Sequence, residues 1–287
     1  MVFDANKSVC ERAASSWNAA AATSFEQMEE CDAIVVATST ASHVSIADHF
    51  LRSGKALLIE KPLCGTLEET REIIARSKEQ KSVLTCGFVE RFNPAVTTAL
   101  KLLDEPVRHL WSYRHSPFNP RASSGVVTDL LIHDLDLTTR LAPSGALPKV
   151  GASLWKPAEH SFTETADCTL QYGSEMTAVQ SASRWGQRKI REIRISTDSL
   201  LMEIDLLRVT VTTYQNRSQH AIPGEPMTYR SETMIEVPFV RHAGEPLGLQ
   251  FDHFVDLIRG DADREAEIAT LEAPHVLADL VEQVGSL

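Results

Sequence analysis

A lysine at the end of an apolar run and an aspartate–histidine group are the residues whose types and spacing could do chemistry in this 287-residue sequence. Lys61 follows Leu57-Leu-Ile-Glu60 and precedes Pro62, in the stretch LLIEKP. Because proline cannot continue a strand ladder, we expect a strand to end here with the lysine projecting from it. An ammonium group there could stabilise charge on a reacting oxygen, although a lysine at a strand end is more often only solvated.

The stretch VVTDLLIHDLDL contains the second group. Asp129 and His133 are four residues apart and Asp136 follows three residues later, so on a helix all three share one face. Histidine titrates near neutral pH, so a carboxylate beside an imidazole could handle a proton. The structural alternative is a helix-start aspartate, a partly buried histidine and a solvated aspartate. Further metal ligands at a recognisable spacing are missing from the sequence, so we predict no metal site.

Apolar runs in the first third of the chain predict the strands that would position Lys61. These continuous runs, typical of parallel strands buried on both faces, lie at residues 33–37, 56–60 and 82–88. Val2-Phe3 indicates the tail of a further strand. Ligands in open α/β sheets bind beyond the carboxyl ends of the strands. Polar segments stand at those ends, at residues 38–40, 60–62 and 90–94.

Helix signals separate these runs. Ser24-Phe-Glu-Gln27 and Thr66-Leu-Glu-Glu69 are capping-box patterns that open helices. A further helix is predicted at about 42–53, where Gly54 is a suitable terminator. The βαβαβ order predicts a doubly wound parallel sheet with right-handed crossovers.

The pattern changes after Asn93-Pro94. Period-two alternation in REIRIS and RVTVTTY, and a hairpin turn near Gly173-Ser174, predict an antiparallel sheet with one exposed face. Helices are expected at about 95–104 and over the last forty residues, where LQFDHFVDLIRG ends at Gly260. The predicted fold class is therefore α/β, with an N-terminally truncated Rossmann-like parallel sheet at 1–92. An α+β domain with a predominantly antiparallel sheet follows at 93–287.

Composition excludes several classes of function. Lys plus Arg total 28 against 39 for Asp plus Glu, a net charge of −11, which disfavours nucleic-acid binding. No apolar run of about 18 residues predicts a membrane span, and no secretory signal pattern opens the sequence. The five cysteines are scattered without ligand-like spacing, which indicates reduced thiols and a cytoplasmic protein.

Three motifs in this order resemble one family. Glu60-Lys61-Pro62 after a strand, the T-x-x-H of Thr40 to His43, and the D-x-x-x-H-x-x-D of Asp129 to Asp136 are similar to motifs of the Gfo/Idh/MocA (glucose–fructose oxidoreductase/inositol dehydrogenase) family. The resemblance runs from residue 2 to the C-terminus. GFVERFNPAV, GVVTDLLIHDLDL and EPLGLQFDHFVDLIRG look closest to the branch acting on nucleotide sugars, such as UDP-N-acetylglucosamine 3-dehydrogenases.

The resemblance implies an oxidoreductase that transfers a hydride between a sugar or nucleotide-sugar hydroxyl and a nicotinamide cofactor. Lys61 matches the catalytic lysine, His133 the general base, and Asp129 the acidic residue that orients substrate or histidine. We expect these three side chains to converge on one cleft between the domains. Asp4 matches the carboxylate that binds the adenosine ribose and favours NAD over NADP. The implied cofactor-binding residues are Asp4, Thr38, Ser39, Thr40, His43, Glu60, Lys61 and Pro62.

One feature of the family has no counterpart here. The first strand and its G-x-G-x-x-G turn, which cradles the pyrophosphate, are missing, and the first glycine of the sequence is Gly54. The start resembles a truncated one, so we expect in-frame upstream sequence to encode a strand, a glycine turn and a helix. The alternative is a non-catalytic remnant or assembly module of the family that has lost cofactor binding.

The partners expected are a sugar or nucleotide-sugar substrate and further copies of the chain, assembled through the antiparallel sheet. Because arginine's planar fork matches phosphate oxygens, arginines following the parallel sheet are the candidates for a diphosphate. The substrate-binding residues predicted are Arg91, Asn93, Arg114 and Arg121.

Overall fold

The computed structural model describes residues 1–120, 122–219 and 230–286. Helices lie at α1 Lys7–Ser16, α2 Phe25–Met28, α3 Thr40–Arg52, α4 Leu67–Gln80, α5 Pro94–Leu102, α6 Ile132–Leu141, α7 Pro246–Arg259, α8 Arg264–Ala269 and α9 Glu272–Gly285. Strands lie at β1 Ala33–Val36, β2 Ala56–Ile59, β3 Leu84–Cys86, β4 His109–His115, β5 Lys149–Trp155, β6 Thr165–Tyr172, β7 Met176–Ser183, β8 Ile190–Ser196, β9 Leu201–Asp205, β10 Thr210–Gln219 and β11 Arg230–Glu236.

The chain divides into two compact units. The first comprises Met1–Gly87 and Asp252–Glu272, and the second comprises Phe88–Phe251 and Ala273–Leu287. The division differs from the domains predicted at 1–92 and 93–287, because a late segment returns to the first unit. Phe254 packs there against Ala56 and Leu58 of β2, and the Thr85 hydroxyl donates a 2.7 Å hydrogen bond to Glu267.

The sheet of the first unit is parallel and has the order β1-β2-β3. The strand and helix order predicted from the sequence is present, which confirms the parallel α/β part of the fold class. Burial on both faces is confirmed for β2 but not for β1, where Val35 is 51% exposed. Among the described strands, β1 pairs only with β2, whereas Val2 forms an isolated parallel bridge to Ala21.

Of the two capping boxes predicted from the sequence, one is present in the structure. At α4 the capping box is complete, with the Thr66 hydroxyl accepting from the Glu69 amide and the Glu69 carboxylate accepting from Thr66. The capping box predicted at Ser24 is wrong, because the Ser24 side chain makes no capping bond. Gln27 instead accepts from the Thr23 amide at 2.7 Å, one residue before the expected cap.

The second unit is built on an eight-stranded sheet with the order β11-β10-β9-β8-β4-β7-β6-β5. All its pairs are antiparallel except β4 with β7, which confirms the predominantly antiparallel sheet. One face packs against helices, with Ala95, Leu135 and Leu277 in the shared core. We call this the closed face.

The other face of this sheet, called the open face here, carries aromatic side chains. Trp111 and Tyr113 of β4 are 41% and 50% exposed, and they alternate with the buried Leu110 and Arg114. At one end of the face, Trp155 and Trp185 pack edge to face, with ring centroids 5.2 Å apart.

The cysteines form no disulfides, as their scattered spacing in the sequence indicates. All five cysteines are free and four are buried. Burial raises the pKa of Cys64 and of Cys168 to about 12, so both thiols stay protonated at neutral pH. Within the described ranges, every helix is too short or too polar to cross a membrane.

Candidate active site

The segment after β2 fixes the backbone at Lys61. The Glu60 amide donates to Val36 of β1, and the Gly87 amide donates to Ile59 of β2. Gly87 also lies so close to Glu60 that a Cβ atom there would stand 3.0 Å from the Glu60 Cα atom. Lys61 itself is half-buried, its amide bonds the Glu60 carboxylate, and its peptide bond to Pro62 is cis.

His43 connects the ends of β1 and β2. The ring is 1% exposed. Its Nδ1 lies 3.0 Å from the carbonyl oxygen of Pro62 and 3.2 Å from that of Leu63, while Nε2 lies 3.3 Å from the carbonyl oxygen of Thr38. The buried imidazole therefore holds the segment that follows Lys61 against the loop that precedes α3.

The loop at the start of α3 presents several hydroxyl groups. Ser39 is the N-cap residue of α3, and its hydroxyl makes no capping bond. The Ser42 hydroxyl lies 2.8 Å from the Thr38 hydroxyl. Because the first amides of a helix lack intrahelical acceptors and carry partial positive charge, Thr40 begins a segment suited to polar or anionic groups.

Asp4 lies near the start of the chain and is exposed. Its Oδ1 accepts from the Asn6 amide at 2.7 Å, and Asn6 in turn caps α1 through the Ser8 amide. A carboxylate fixed in this way can accept hydrogen bonds from ribose hydroxyls, and the cofactor roles of the α3 loop and Lys61 stay predictions. Residues 1–53 contain no glycine, so they do not supply the close glycine backbone that holds a pyrophosphate in Rossmann folds.

Asp129 and His133 lie at a change of helix type in the second unit. Val127–Leu131 forms a turn of π-helix, and α6 begins at the next residue. Single π-helical turns are frequent at functional sites. His133 is 8% exposed, and Asp136 is 1% exposed and bound to Arg91. The solvated aspartate of the structural alternative is therefore not what the structure shows.

Arg184 holds Asp129 in place. The Arg184 side chain is 2% exposed, and its Nη1 lies 3.2 Å from Asp129 Oδ2. Its Nε donates to Glu164 at 2.9 Å, and its Nη2 donates to the Ser124 carbonyl oxygen at 2.7 Å. The sequence reasoning missed Arg184. A signal for it existed, because Arg184 continues the alternation of Ala178 and Ala182 on the closed face of β7.

The predicted substrate arginines lie among carboxylates. The Arg91 guanidinium binds both oxygens of Asp136, and Arg114 binds Asp134 at 2.7 Å and Glu90 at 2.9 Å. These ion pairs use guanidinium hydrogens that could otherwise bind a phosphate. The substrate role of Arg91 and Arg114 stays a prediction.

The other two predicted substrate residues differ from each other. Asn93 is buried, caps α5 through the Ala95 amide and donates to the Leu206 carbonyl oxygen. Arg121 lies outside the described residues. The site residues are thus located within each unit, and the convergence of Lys61, Asp129 and His133 on one cleft stays a prediction.

The first unit is a parallel α/β fold with a lysine at a strand end. The second carries a helical histidine and an anchored aspartate packed on a mostly antiparallel sheet. Together these features are typical of Rossmann-type oxidoreductases. Residues 1–88 match the Gfo/Idh/MocA family, described as an oxidoreductase family with an NAD-binding Rossmann fold.

Relatives that are dehydrogenases agree with this match, one of them over most of the chain. A UDP-N-acetylglucosamine 3-dehydrogenase of Acidithiobacillus ferrooxidans is 30% identical over 227 residues, which are 78% of this chain and 72% of the relative. Its solved structure, at 26% identity, superposes with a TM-score of 0.84 over 98% of this chain and 88% of that one. An inositol 2-dehydrogenase of Rhizobium meliloti is 29% identical over 147 residues, 47% of this chain and 44% of the relative.

The chain belongs to the Gfo/Idh/MocA family of NAD-binding oxidoreductases. The family, the fold class and the oxidoreductase class predicted from the sequence are confirmed.

Replacing Arg184 tests its anchoring role. We expect Arg184→Met to lower the free energy of unfolding by about 3–5 kcal/mol, because a buried Glu164 carboxylate would lose its guanidinium partner. Urea denaturation measures the change. The matched control is Arg194→Met in β8, which breaks an exposed pair with Glu203 and should cost less than about 1 kcal/mol. Equal losses in the two variants would contradict the anchoring role.

Proposed function

We propose that this protein is an NAD-dependent dehydrogenase of a nucleotide sugar. The observation that carries the proposal is the Asp129–Arg184 ion pair, which fixes a carboxylate one helical turn before His133. Support comes from the similarity to the UDP-N-acetylglucosamine 3-dehydrogenase over 78% of the chain. The inositol dehydrogenases among the relatives make a simple cyclic polyol or sugar the second substrate class.

In this proposal, the chain's own residues manage the proton of the reacting hydroxyl group. His133 accepts that proton, because imidazole is a base suited to neutral pH. Lys61 donates a hydrogen bond to the same oxygen and stabilises the negative charge that develops on it. Asp129 orients the imidazole or the substrate. NAD, when bound, supplies the acceptor for the hydride that leaves the carbon.

Cofactor preference in the proposal depends on Asp4. An exposed carboxylate at the end of the Val2-Phe3 segment can accept hydrogen bonds from the ribose hydroxyls of NAD, and it would repel the 2′-phosphate of NADP. Thr38, Ser39 and Thr40 would lie along the dinucleotide.

Two variants test the chemistry together with cofactor binding. We expect Lys61→Met and His133→Asn to lower kcat for UDP-N-acetylglucosamine oxidation by at least about 100-fold, because each removes a group acting on the reacting proton or oxygen. NADH titration followed by tryptophan fluorescence should give a similar Kd for His133→Asn and the unchanged protein. The controls are the exposed Lys101→Met and His242→Asn.

Two results would contradict the proposal. Unchanged turnover in both variants would remove the roles of Lys61 and His133. A protein that binds neither NADH nor NAD would favour the alternative, a non-catalytic member of the family.

We infer that the protein works in the cytoplasm and assembles with copies of itself. Free cysteines, four of them buried, fit a reducing compartment. The open face of the eight-stranded sheet supports self-assembly, because it exposes Trp111, Tyr113 and Val179 side by side on β4 and β7. Contiguous exposed apolar side chains of this kind mark interaction surfaces.

Assembly through the open face is testable by mass. We expect light scattering after gel filtration to give at least twice the 31.7 kDa chain mass for the unchanged protein and one chain mass for Trp111→Glu, because a buried unpaired carboxylate would destabilise the interface. Trp17→Glu, at a residue that is 75% exposed in the first unit, is the control and should leave the mass unchanged. A monomeric unchanged protein would refute assembly.

A further inference from the structure

Arg191 is a buried arginine on β8 whose acceptors are all neutral. The residue is 7% exposed. Its Nη1 donates to the carbonyl oxygens of His115 and Ile190, each at 2.6 Å, and its Nη2 donates to the Ser116 hydroxyl at 2.8 Å. In the part of the chain that the structure describes, no carboxylate pairs with Arg191 and no acceptor binds its Nε.

The other buried arginines of this unit are different. Arg91, Arg114 and Arg184 each bind at least one carboxylate. A buried guanidinium without an opposite charge is costly, so its environment is usually arranged to supply one. Among these four buried arginines, Arg191 is therefore the one whose positive charge a bound anion would compensate, because no described carboxylate binds it.

Arg114, on the neighbouring strand, makes a compensating negative charge at Arg191 more favourable. Arg114 of β4 stands directly opposite Arg191 in the strand register, and both side chains point to the closed face. Asp134 and Glu90 are bound to Arg114. Burial, and after it the charge of Arg114, lower the pKa of Arg191 to about 10, and the more distant carboxylates oppose this only in part.

The backbone beside Arg191 is held in place. Ser116 follows β4, its amide donates to Ser183 at 2.8 Å, and its carbonyl oxygen accepts from Gly186 at 2.9 Å. A Cβ atom on Gly186 would lie 3.2 Å from the Ser116 carbonyl oxygen, so this close approach depends on glycine. The Ser116 hydroxyl, which accepts from Arg191, still has its own hydrogen to donate.

We propose that Arg191 and Ser116 form an anion subsite that binds a phosphate of the nucleoside diphosphate part of the substrate. The fork of a guanidinium matches phosphate oxygens, and charge-assisted bonds of this kind are among the strong hydrogen bonds of proteins. The subsite rests on the proposed function, and it assigns the diphosphate to a residue other than Arg91, Arg114 and Arg121. A phosphate site at Arg191 would distinguish a nucleotide-sugar substrate, which carries phosphate groups, from a neutral sugar or inositol, which carries none.

Binding without turnover tests the subsite. Isothermal titration with UDP should give a Kd that rises about 10- to 100-fold in Arg191→Gln, since a hydrogen bond to a charged group is worth about 1.5–3 kcal/mol. Uridine should bind the two proteins equally, and inorganic pyrophosphate should compete with UDP only in the unchanged protein. Arg194→Gln, on the open face of the same strand, is the matched control and should keep the original Kd.

A second variant covers a folding defect. Arg191→Lys keeps the charge and loses the fork, so we expect an affinity for UDP between those of the other two proteins. If Arg191→Gln does not fold, the lysine variant and the pyrophosphate competition decide. Equal UDP affinity in the folded variants and the unchanged protein, or no UDP or pyrophosphate binding by the unchanged protein, would overturn the subsite.

The same titrations separate this subsite from the dehydrogenase proposal. If Arg191→Gln weakens NADH binding and leaves UDP binding intact, the anion is a cofactor phosphate and the inference is wrong. If UDP binds through Arg191 but no substrate is oxidised, the subsite stands and the proposed dehydrogenase activity fails.

Discussion

The burial of charge on the closed face of the eight-stranded sheet is the constraint on which the second unit depends. Arg114 on β4 and Arg184 after β7 reach from the sheet to carboxylates, and Asp134 and Asp136 on α6 supply charges from the helix side. Each charge is tolerated because an opposite one lies within hydrogen-bonding distance. The helix that carries His133 is therefore tied to the sheet by ion pairs, and its rotation about its own axis is restricted.

A partly buried ion pair also stands at the change of helix type that carries the candidate residue Asp129. The π-helical turn at Val127–Leu131 contains Asp129, and α6 begins at the next residue. Arg184 meets Asp129 at that turn and also bonds the Ser124 carbonyl oxygen just before it. One guanidinium thus fixes both the entry of the chain into the turn and the carboxylate within it.

Local sequence patterns predicted much of the fold, whereas contacts between segments far apart in the sequence could not be predicted. Gly54 and the Thr66 capping box end and begin helices through bonds to near neighbours, so their patterns are sufficient. The return of Asp252–Glu272 to the first unit depends on contacts such as that of Phe254 with Leu58, almost two hundred residues away. An amphipathic helix has a recognisable apolar face, but its sequence does not name the sheet that covers it.

The candidate site divides in the same way. Lys61 was predicted from the local stretch Glu60-Lys61-Pro62, and Asp129 and His133 were predicted from their four-residue spacing. The state of Arg91 and Arg114 was not predictable, since whether an arginine meets a carboxylate or solvent is decided by strand register and by which face of β4 is closed. Arg191 shows the same limit, because its acceptors are neutral while the nearby carboxylates of Asp134 and Glu90 bind Arg114.

The edge-to-face pair of Trp155 and Trp185 has an optical consequence. Trp185 directly follows Arg184, and its amide donates to the Ser183 hydroxyl, so the indole is attached to the same strand end as the guanidinium that holds Asp129. The interaction between two aromatic rings at this separation depends on the angle between them. The near-ultraviolet circular dichroism and the fluorescence emission of this pair should therefore change when the ion pair between Arg184 and Asp129 is disturbed.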